Sequence, residues 1–170
     1  MAKPLAGEEL KSLAFAAVFP TAALVGSAVI LSDDDLVNYW KALKRPAWWV
    51  RSDVEVPLIT AINVGATMAV VQATRLVWRH GGLTEPRSRR ALLSYALCNA
   101  LTLGSIVSRK NKSTRCAFYT TLAIFGSAAV MLHLYSDIDL DAGRLATPAV
   151  GLWAFYSYFM YHLWKLNPSD

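Results

Sequence analysis

Charged residues are absent from five long stretches of the chain, and this pattern is the strongest structural signal in the sequence. The charge-free windows are 12–32, 56–74, 91–108, 116–136 and 145–164. Each is close to the roughly 20 residues that a helix needs to cross a lipid bilayer. A helix of a soluble bundle would instead carry a polar stripe with a period near 3.6 residues, and none of these windows has one. The pattern therefore predicts helices that face lipid.

These windows predict an all-α fold, a polytopic membrane protein built as a five-helix transmembrane bundle. The predicted spans are 13–31, 56–78, 91–107, 116–135 and 146–164. No linker rich in Gly, Ser or Pro divides them, so residues 1–170 are expected to form a single domain. Pro20 lies inside the first span, where a neighbouring helix can satisfy the carbonyl that it leaves free.

Composition agrees with a membrane protein. Hydrophobic residues make up 55% of the chain and charged residues 17%, whereas a soluble domain carries about 25% charged residues. The net charge of +5 is divided between two membrane faces, so it predicts no nucleic-acid partner. Because Lys and Arg are shared almost evenly between those faces, the positive-inside rule leaves the orientation open.

The segment between the first two spans, residues 38–53, combines three tryptophans with four cations and a proline. Indole rings favour the headgroup level of a bilayer, and long basic side chains can extend toward water or lipid phosphate. An interfacial aromatic belt is the simplest interpretation. The rigid Arg45-Pro46 step among the tryptophans also favours an ordered loop that covers the end of the bundle.

The sequence carries no recognisable catalytic or metal-binding motif. All twelve carboxylates lie outside the predicted spans, and there is no Gly-rich phosphate loop or nucleophile elbow. His133 and His162 lie near span ends, with an interfacial role favoured over that of an axial haem ligand. Cys98 and Cys116 supply too few ligands for a metal site. We expect no enzymatic activity and no resident metal.

Three sequence segments occur in an order that is familiar. They are YWKALKRPAWW in loop one, LVWRHGGLTE at the end of the second span, and GRLATPAVGLWAF with YHLWK in the fifth. Together they resemble the translocator protein family, also called TspO/MBR, tryptophan-rich sensory proteins or peripheral benzodiazepine receptors. The resemblance implies five transmembrane helices around a pocket that binds tetrapyrroles, sterols and synthetic aromatic ligands. It also implies a mitochondrial membrane in a eukaryote, or the cell envelope in a bacterium.

The resemblance assigns candidate ligand-binding positions. Some match residues of the family's loop one and fifth helix: Leu43, Pro46, Trp48 and Phe155. Others stand where family members carry different pocket residues: Thr102, Ser105, Cys116, Thr120 and Leu152. Trp153 is displaced by one residue from the family's tryptophan position, and Tyr156 is its neighbour on the helix whose family counterpart lines the pocket. Because the family's pocket tryptophans are replaced, the flat aromatic ligands of the family are expected to bind more weakly.

Tyr161 and Lys165 are the candidate lipid or sterol contacts at the end of the fifth span. The sterol-recognition pattern of the family needs Leu or Val, then Tyr, then Lys or Arg at short gaps. Phe159 and Met160 stand on the leucine side of Tyr161, so the pattern is incomplete in this chain.

Two functions from different classes follow. The first is a translocator-protein-like binder of a flat apolar ligand within the bundle, whether a haem or porphyrin, a sterol or another lipid. The second is an accessory subunit of a larger mitochondrial membrane complex, with a vestigial or lipid-filled pocket. Membrane lipids are the expected partners in both, and the expected assemblies are a homodimer or a larger membrane complex.

Overall fold

Six α-helices and their connections make up residues 6–49 and 52–168, the part of the chain described by the computed structural model. The helices are α1 Ala6–Leu31, α2 Asp34–Ala42, α3 Ser52–Arg79, α4 Pro86–Lys110, α5 Thr114–Ile138 and α6 Leu140–Leu166. These residues contain no strand, so the all-α prediction is confirmed. The five long helices contain the five predicted spans, and the short helix α2 lies within loop one.

Helices α4 and α5 are long and apolar enough to cross a membrane, with a mean hydropathy of 1.5 over their most apolar stretch. Only 28% of that stretch is buried in either helix, so most of this apolar surface faces outward. A core helix of a soluble protein would bury such a surface, whereas lipid can cover it. Length and hydropathy single out no other helix among the described residues.

Polar side chains and two glycines fix the ends of the helices on one side of the bundle. Gly81 and Gly82 both have positive φ, 116° and 57°, and let the chain turn sharply after α3. Glu85 then begins α4, because its carboxylate accepts the Ser88 N–H at 2.6 Å. Asp139 begins α6 in the same way, accepting the N–H groups of two following residues.

The main core joins α3, α4, α5 and α6, and α1 packs against α3 and α4. Small residues in it allow close helix approach, and all are fully buried: Ala73, Ala91, Ala142 and Ala146. The two largest buried side chains are Tyr95 and Tyr135, and each hydroxyl has a partner. Tyr135 shares a 2.8 Å hydrogen bond with Thr74. A buried hydroxyl without such a partner would cost free energy.

Tyr95 resolves the problem that Pro20 creates in α1. Proline has no N–H, so the Ala16 carbonyl four residues earlier loses its helical donor. The Tyr95 hydroxyl donates to the Ala16 oxygen at 2.6 Å. The expectation that a neighbouring helix satisfies this carbonyl is therefore confirmed.

Candidate functional site

Residues 34–49 of loop one fold over one end of the bundle, and we refer to them as the loop-one segment. Its aromatic side chains bind main-chain oxygens at the turn between α4 and α5. The Trp40 indole N–H donates to the Arg109 oxygen at 3.3 Å, and the Tyr39 hydroxyl donates to the Lys112 oxygen. The prediction of an ordered loop covering the bundle end is confirmed for these residues.

Stacked rings join the loop-one segment to α6. The Trp49 ring lies on Phe159, with centroids 3.7 Å apart and planes inclined by 24°. It is also stacked on Phe155 at 5.8 Å. Trp48 is stacked on Tyr158 at 5.4 Å and contacts Phe155 edge-on at 6.1 Å. Such pairs stabilise beyond the area they bury, so the two indoles fasten the segment to the helix.

Two other predicted loop residues, Pro46 and Leu43, are removed from solvent to different extents. Pro46 is buried. Leu43 packs with Trp49 against an apolar cluster from α5 and α6, formed by Ala117, Phe159, Met160 and Leu163. The Trp49 indole nitrogen is buried as well, and no hydrogen-bond acceptor reaches it within the described structure.

A polar group inside the bundle was missed by the sequence analysis. The Asn63 amide nitrogen in α3 donates to the Tyr156 hydroxyl at 2.9 Å and to the Ile59 oxygen at 2.8 Å. Arg109 at the end of α4 is half-buried, and its guanidinium lies within electrostatic range of the Tyr156 phenol. Asn63 stands within a charge-free apolar run, and Arg109 stands just beyond one, so neither position was singled out.

The candidate residues of α4 and α5 direct their hydroxyls back to their own helices. The Thr102 hydroxyl donates to the Cys98 oxygen at 2.9 Å, and the buried Ser105 hydroxyl donates to the Thr102 oxygen at 2.6 Å. Thr120 donates to the Cys116 oxygen at 2.7 Å. The Cys116 side chain is exposed. Thr102, Ser105 and Thr120 therefore offer a ligand less polar surface than their hydroxyl groups suggest.

Leu152 and Trp153 lie next to each other on α6 but pack into different clusters. Leu152 contacts the main core. Trp153 packs against the cluster formed by Cys98, Ile124 and Ala128, and its ring centroid is 5.9 Å from that of Tyr156. Trp153 therefore links the aromatic face of α6 to the contact between α4 and α5.

Tyr161 and Lys165 lie on the exposed side of α6, as their proposed lipid contact requires. Tyr161 is 40% exposed. The Lys165 ammonium lies 4.5 Å from the Trp164 ring centroid and 5.7 Å from that of Tyr161. Both distances suit a cation–π contact.

At the opposite end of the bundle, the carboxylates of Asp139 and Glu85 cap the helices that follow the turns. Main-chain N–H donation from Ala142, reinforced by His80 at 3.2 Å, holds the pKa of Asp139 below its usual value. Donation by the Ser88 N–H lowers the pKa of Glu85 in the same way. Helix N-termini favour negative charge, so both carboxylates act as helix caps. In the described residues, no group of three or more His, Cys, Asp or Glu side chains is placed to hold a metal ion.

The fold and the site define a helical membrane protein in which an aromatic loop covers one end of the bundle. The chain matches the TspO/MBR family over residues 14–165, nearly its whole length. It therefore belongs to the TspO/MBR family, and the resemblance seen in three sequence segments is confirmed. No curated protein sequence matches it. Family membership makes the chain a translocator-like, membrane-integral protein.

Proposed function

We propose that the protein binds a flat, largely apolar ligand, a tetrapyrrole or a sterol, beneath the loop-one segment. The observation that carries this proposal is the stacking of Trp49 on Phe159, about one helical turn along α6 from Tyr156 and its hydrogen bond with Asn63. Binding sites for small molecules are mostly apolar and aromatic, with a few polar groups that orient the ligand. This end of the bundle has that composition.

The Trp49 indole supports the same proposal. A buried donor without an acceptor costs about 1–3 kcal/mol. A ligand that carries an oxygen near the Trp49 N–H would recover that free energy, and the rings beside it would stack on a flat ligand body.

Arg109 favours a tetrapyrrole over a sterol. Tetrapyrroles carry carboxylates, and hydrogen bonds to charged groups contribute about 1.5–3 kcal/mol. A sterol offers only a hydroxyl. The half-buried guanidinium beside Tyr156 therefore contributes more binding free energy with a tetrapyrrole carboxylate than with a sterol hydroxyl.

The proposal includes five membrane crossings, by α1, α3, α4, α5 and α6, with α2 at the membrane surface. It includes a mitochondrial membrane as the location, or the cell envelope if the chain is bacterial. Family membership supports the membrane setting. Exposed aliphatic side chains on three of these helices, such as Val18, Met68 and Leu97, support contact with lipid.

An accessory-subunit role is the second candidate, and one feature of α4 favours it. Arg87, Arg89 and Arg90 are exposed in its first turns, where the helix dipole disfavours cations. An acidic surface of a partner protein would offset that cost.

Ligand binding is tested with the full chain in lipid nanodiscs, using protoporphyrin IX fluorescence and a synthetic isoquinoline as probes. Trp153→Ala and Tyr156→Ala should weaken binding of the probes about tenfold or more, since each removes an aromatic contact. Tyr119→Ala is the matched control, because Tyr119 is half-exposed on α5.

The outcomes separate the two candidates. Unchanged affinity in both α6 variants would reject the site. If, in addition, native gels show a large complex that dissociates when Arg87, Arg89 and Arg90 are changed to Gln, the accessory-subunit role is the function. A folded protein that runs alone and loses affinity in the α6 variants is a ligand binder.

A further inference from the structure

Asn167 lies directly after α6, and its side-chain amide pairs with the main chain of Lys44 in the loop-one segment. The Lys44 N–H donates to the Asn167 amide oxygen at 3.0 Å, and the Asn167 amide nitrogen donates to the Lys44 oxygen at 3.0 Å. One residue thus satisfies both main-chain groups of the other, as a hydrogen-bonded pair does between antiparallel strands.

The Asn167 amide is itself held in place by the end of α6. Its amide nitrogen also donates to the Leu163 oxygen at 2.7 Å. Its main-chain N–H donates to the oxygens of Leu163 and Trp164 at 3.1 and 3.2 Å. Because the helix end fixes both the main chain and the side chain, the amide is oriented before the loop-one segment docks on it.

The pairing of the Asn167 amide with the Lys44 main chain, which we call the clamp, lies between the two other attachments of the loop-one segment. On one side, Tyr39 and Trp40 bind main-chain oxygens of the α4–α5 turn. On the other side, Trp48 and Trp49 stack on α6. The Lys44 side chain takes part in neither attachment. Asn167 instead holds the Lys44 main chain.

We propose that Asn167 is a positioning residue, whose amide holds the loop-one segment closed over the bundle end and thereby sets the rate at which ligand exchanges. The effect on ligand exchange rests on the proposed ligand-binding function, whereas the attachment of the loop-one segment by Asn167 does not. The chemistry is specific to an amide, because the site needs an acceptor and a donor in one plane. Aspartate keeps the acceptor and loses the donor, and alanine loses both.

Hydrogen exchange of the full chain in nanodiscs tests the clamp without any ligand. In Asn167→Ala, the main-chain amides of residues 39–49 should exchange on the order of tenfold faster than in the wild type, since two hydrogen bonds to the segment are lost. Asn167→Asp should also speed the exchange of these amides, because it removes the donor of the pair. Asn111→Ala is the matched control: Asn111 ends α4 on the same side of the bundle, and its main-chain N–H, rather than its side chain, donates to the Val107 and Arg109 oxygens.

Ligand exchange tests the consequence. With protoporphyrin IX as the probe, Asn167→Ala should raise the association and dissociation rates together, on the order of tenfold each, and change Kd much less. A loss of affinity with an unchanged association rate would mean that Asn167 supports the ligand directly, and would overturn the gating role.

The two proposals fail in different ways. Unchanged exchange of residues 39–49 in Asn167→Ala overturns the clamp, whatever the probe does. Faster exchange with unchanged ligand rates shows that the clamp does not gate the site, and overturns the inference as well. Wild-type protein that binds neither probe counts against the proposed function, while the exchange measurement still decides whether Asn167 positions the segment.

Discussion

The Tyr95 hydroxyl donates a hydrogen bond to the Ala16 carbonyl, the group that Pro20 leaves without a donor in α1. An unpaired carbonyl in apolar surroundings costs free energy, so α4 completes the hydrogen bonding of α1. The contact joins residues that are distant in sequence and fixes one point of the packing of α1 on α4.

Tyr95→Phe should lower the free energy of unfolding by about 1–3 kcal/mol, because it leaves the Ala16 carbonyl without a partner. In a Pro20→Ala background the loss should be smaller, since residue 20 then supplies the missing N–H. The measurement is a double-mutant cycle in detergent, followed by circular dichroism. An equal loss in both backgrounds would show that proline and tyrosine act independently.

Gly143 of α6 lies directly against Ser136 of α5. A Cβ at this position would meet the Cα and Cβ of Ser136 at 3.0 Å. Gly143→Ala should therefore force the helices apart and destabilise the fold by about 1–3 kcal/mol.

Gly151 on the same helix provides the matched control for that substitution. A Cβ there meets nothing within 4 Å, and alanine is favoured over glycine in a helix by about 1 kcal/mol. Gly151→Ala should leave the melting temperature unchanged or raise it. A comparable loss in both variants would mean that general effects on α6, rather than the contact with Ser136, explain the result.

The stacking of Trp49 on Phe159 should appear as a coupling between the two side chains. A double-mutant cycle with Trp49→Ala and Phe159→Ala should give a coupling free energy of about 0.5–1.5 kcal/mol. The pair of Trp48 and Tyr158 is the comparison, with more distant centroids and exposed side chains, and its coupling should be smaller. Additive losses for Trp49 and Phe159 would contradict the packing described above.

Asp139 should make stability depend on pH in the acid range. Its pKa is lowered in the folded protein, so its charged form is favoured by folding. That contribution is complete above the unfolded pKa near 3.9 and is lost as the pH falls through the folded value. The melting temperature of Asp139→Asn should lie below that of the wild type at neutral pH and converge with it below about pH 4.

Asp137→Asn is the control for Asp139, because Asp137 is exposed in the last turn of α5, caps no helix and pairs with the exposed His133 at 3.7 Å. Its melting temperature at neutral pH should lie closer to that of the wild type than the melting temperature of Asp139→Asn does. A gap between wild type and Asp139→Asn that stays constant down to pH 3 would exclude the carboxylate charge as its cause.

Arg109→Gln should separate acidic from neutral ligands. Removal of the charge should weaken protoporphyrin IX roughly 10- to 100-fold, since a charged hydrogen bond contributes about 1.5–3 kcal/mol. A neutral isoquinoline should bind with little change. Fluorescence titration of both ligands against Arg109→Gln and Arg115→Gln, an exposed basic neighbour, is the measurement. Equal weakening of both ligands would place Arg109 outside the recognition of carboxylates.

Local sequence patterns were enough to predict the long helices and to indicate the family. The charge-free windows predicted the positions of five long helices, because a segment buried in lipid or protein cannot afford unpaired charges at any point along its length. The three short segments around Pro46, Gly82 and Pro148 carried the resemblance. Proline restricts the main chain locally, and glycine permits the positive φ of the turn after α3. The sequence alone also located Pro20 and the carbonyl that it leaves free.

Only the tertiary structure decided which side chains meet. Asn63 and Tyr156 are separated by most of the chain, and so are Lys44 and Asn167. Neither pair leaves a periodic signal, because such contacts depend on helix rotation and crossing, and several packings suit one hydrophobic pattern. Helix packing also brought Trp49 onto Phe159. The Thr102 and Ser105 hydroxyls bond to their own helix instead, which is a local property of these side chains. The sequence determined the helices and their setting, and the packing of those helices determined the site.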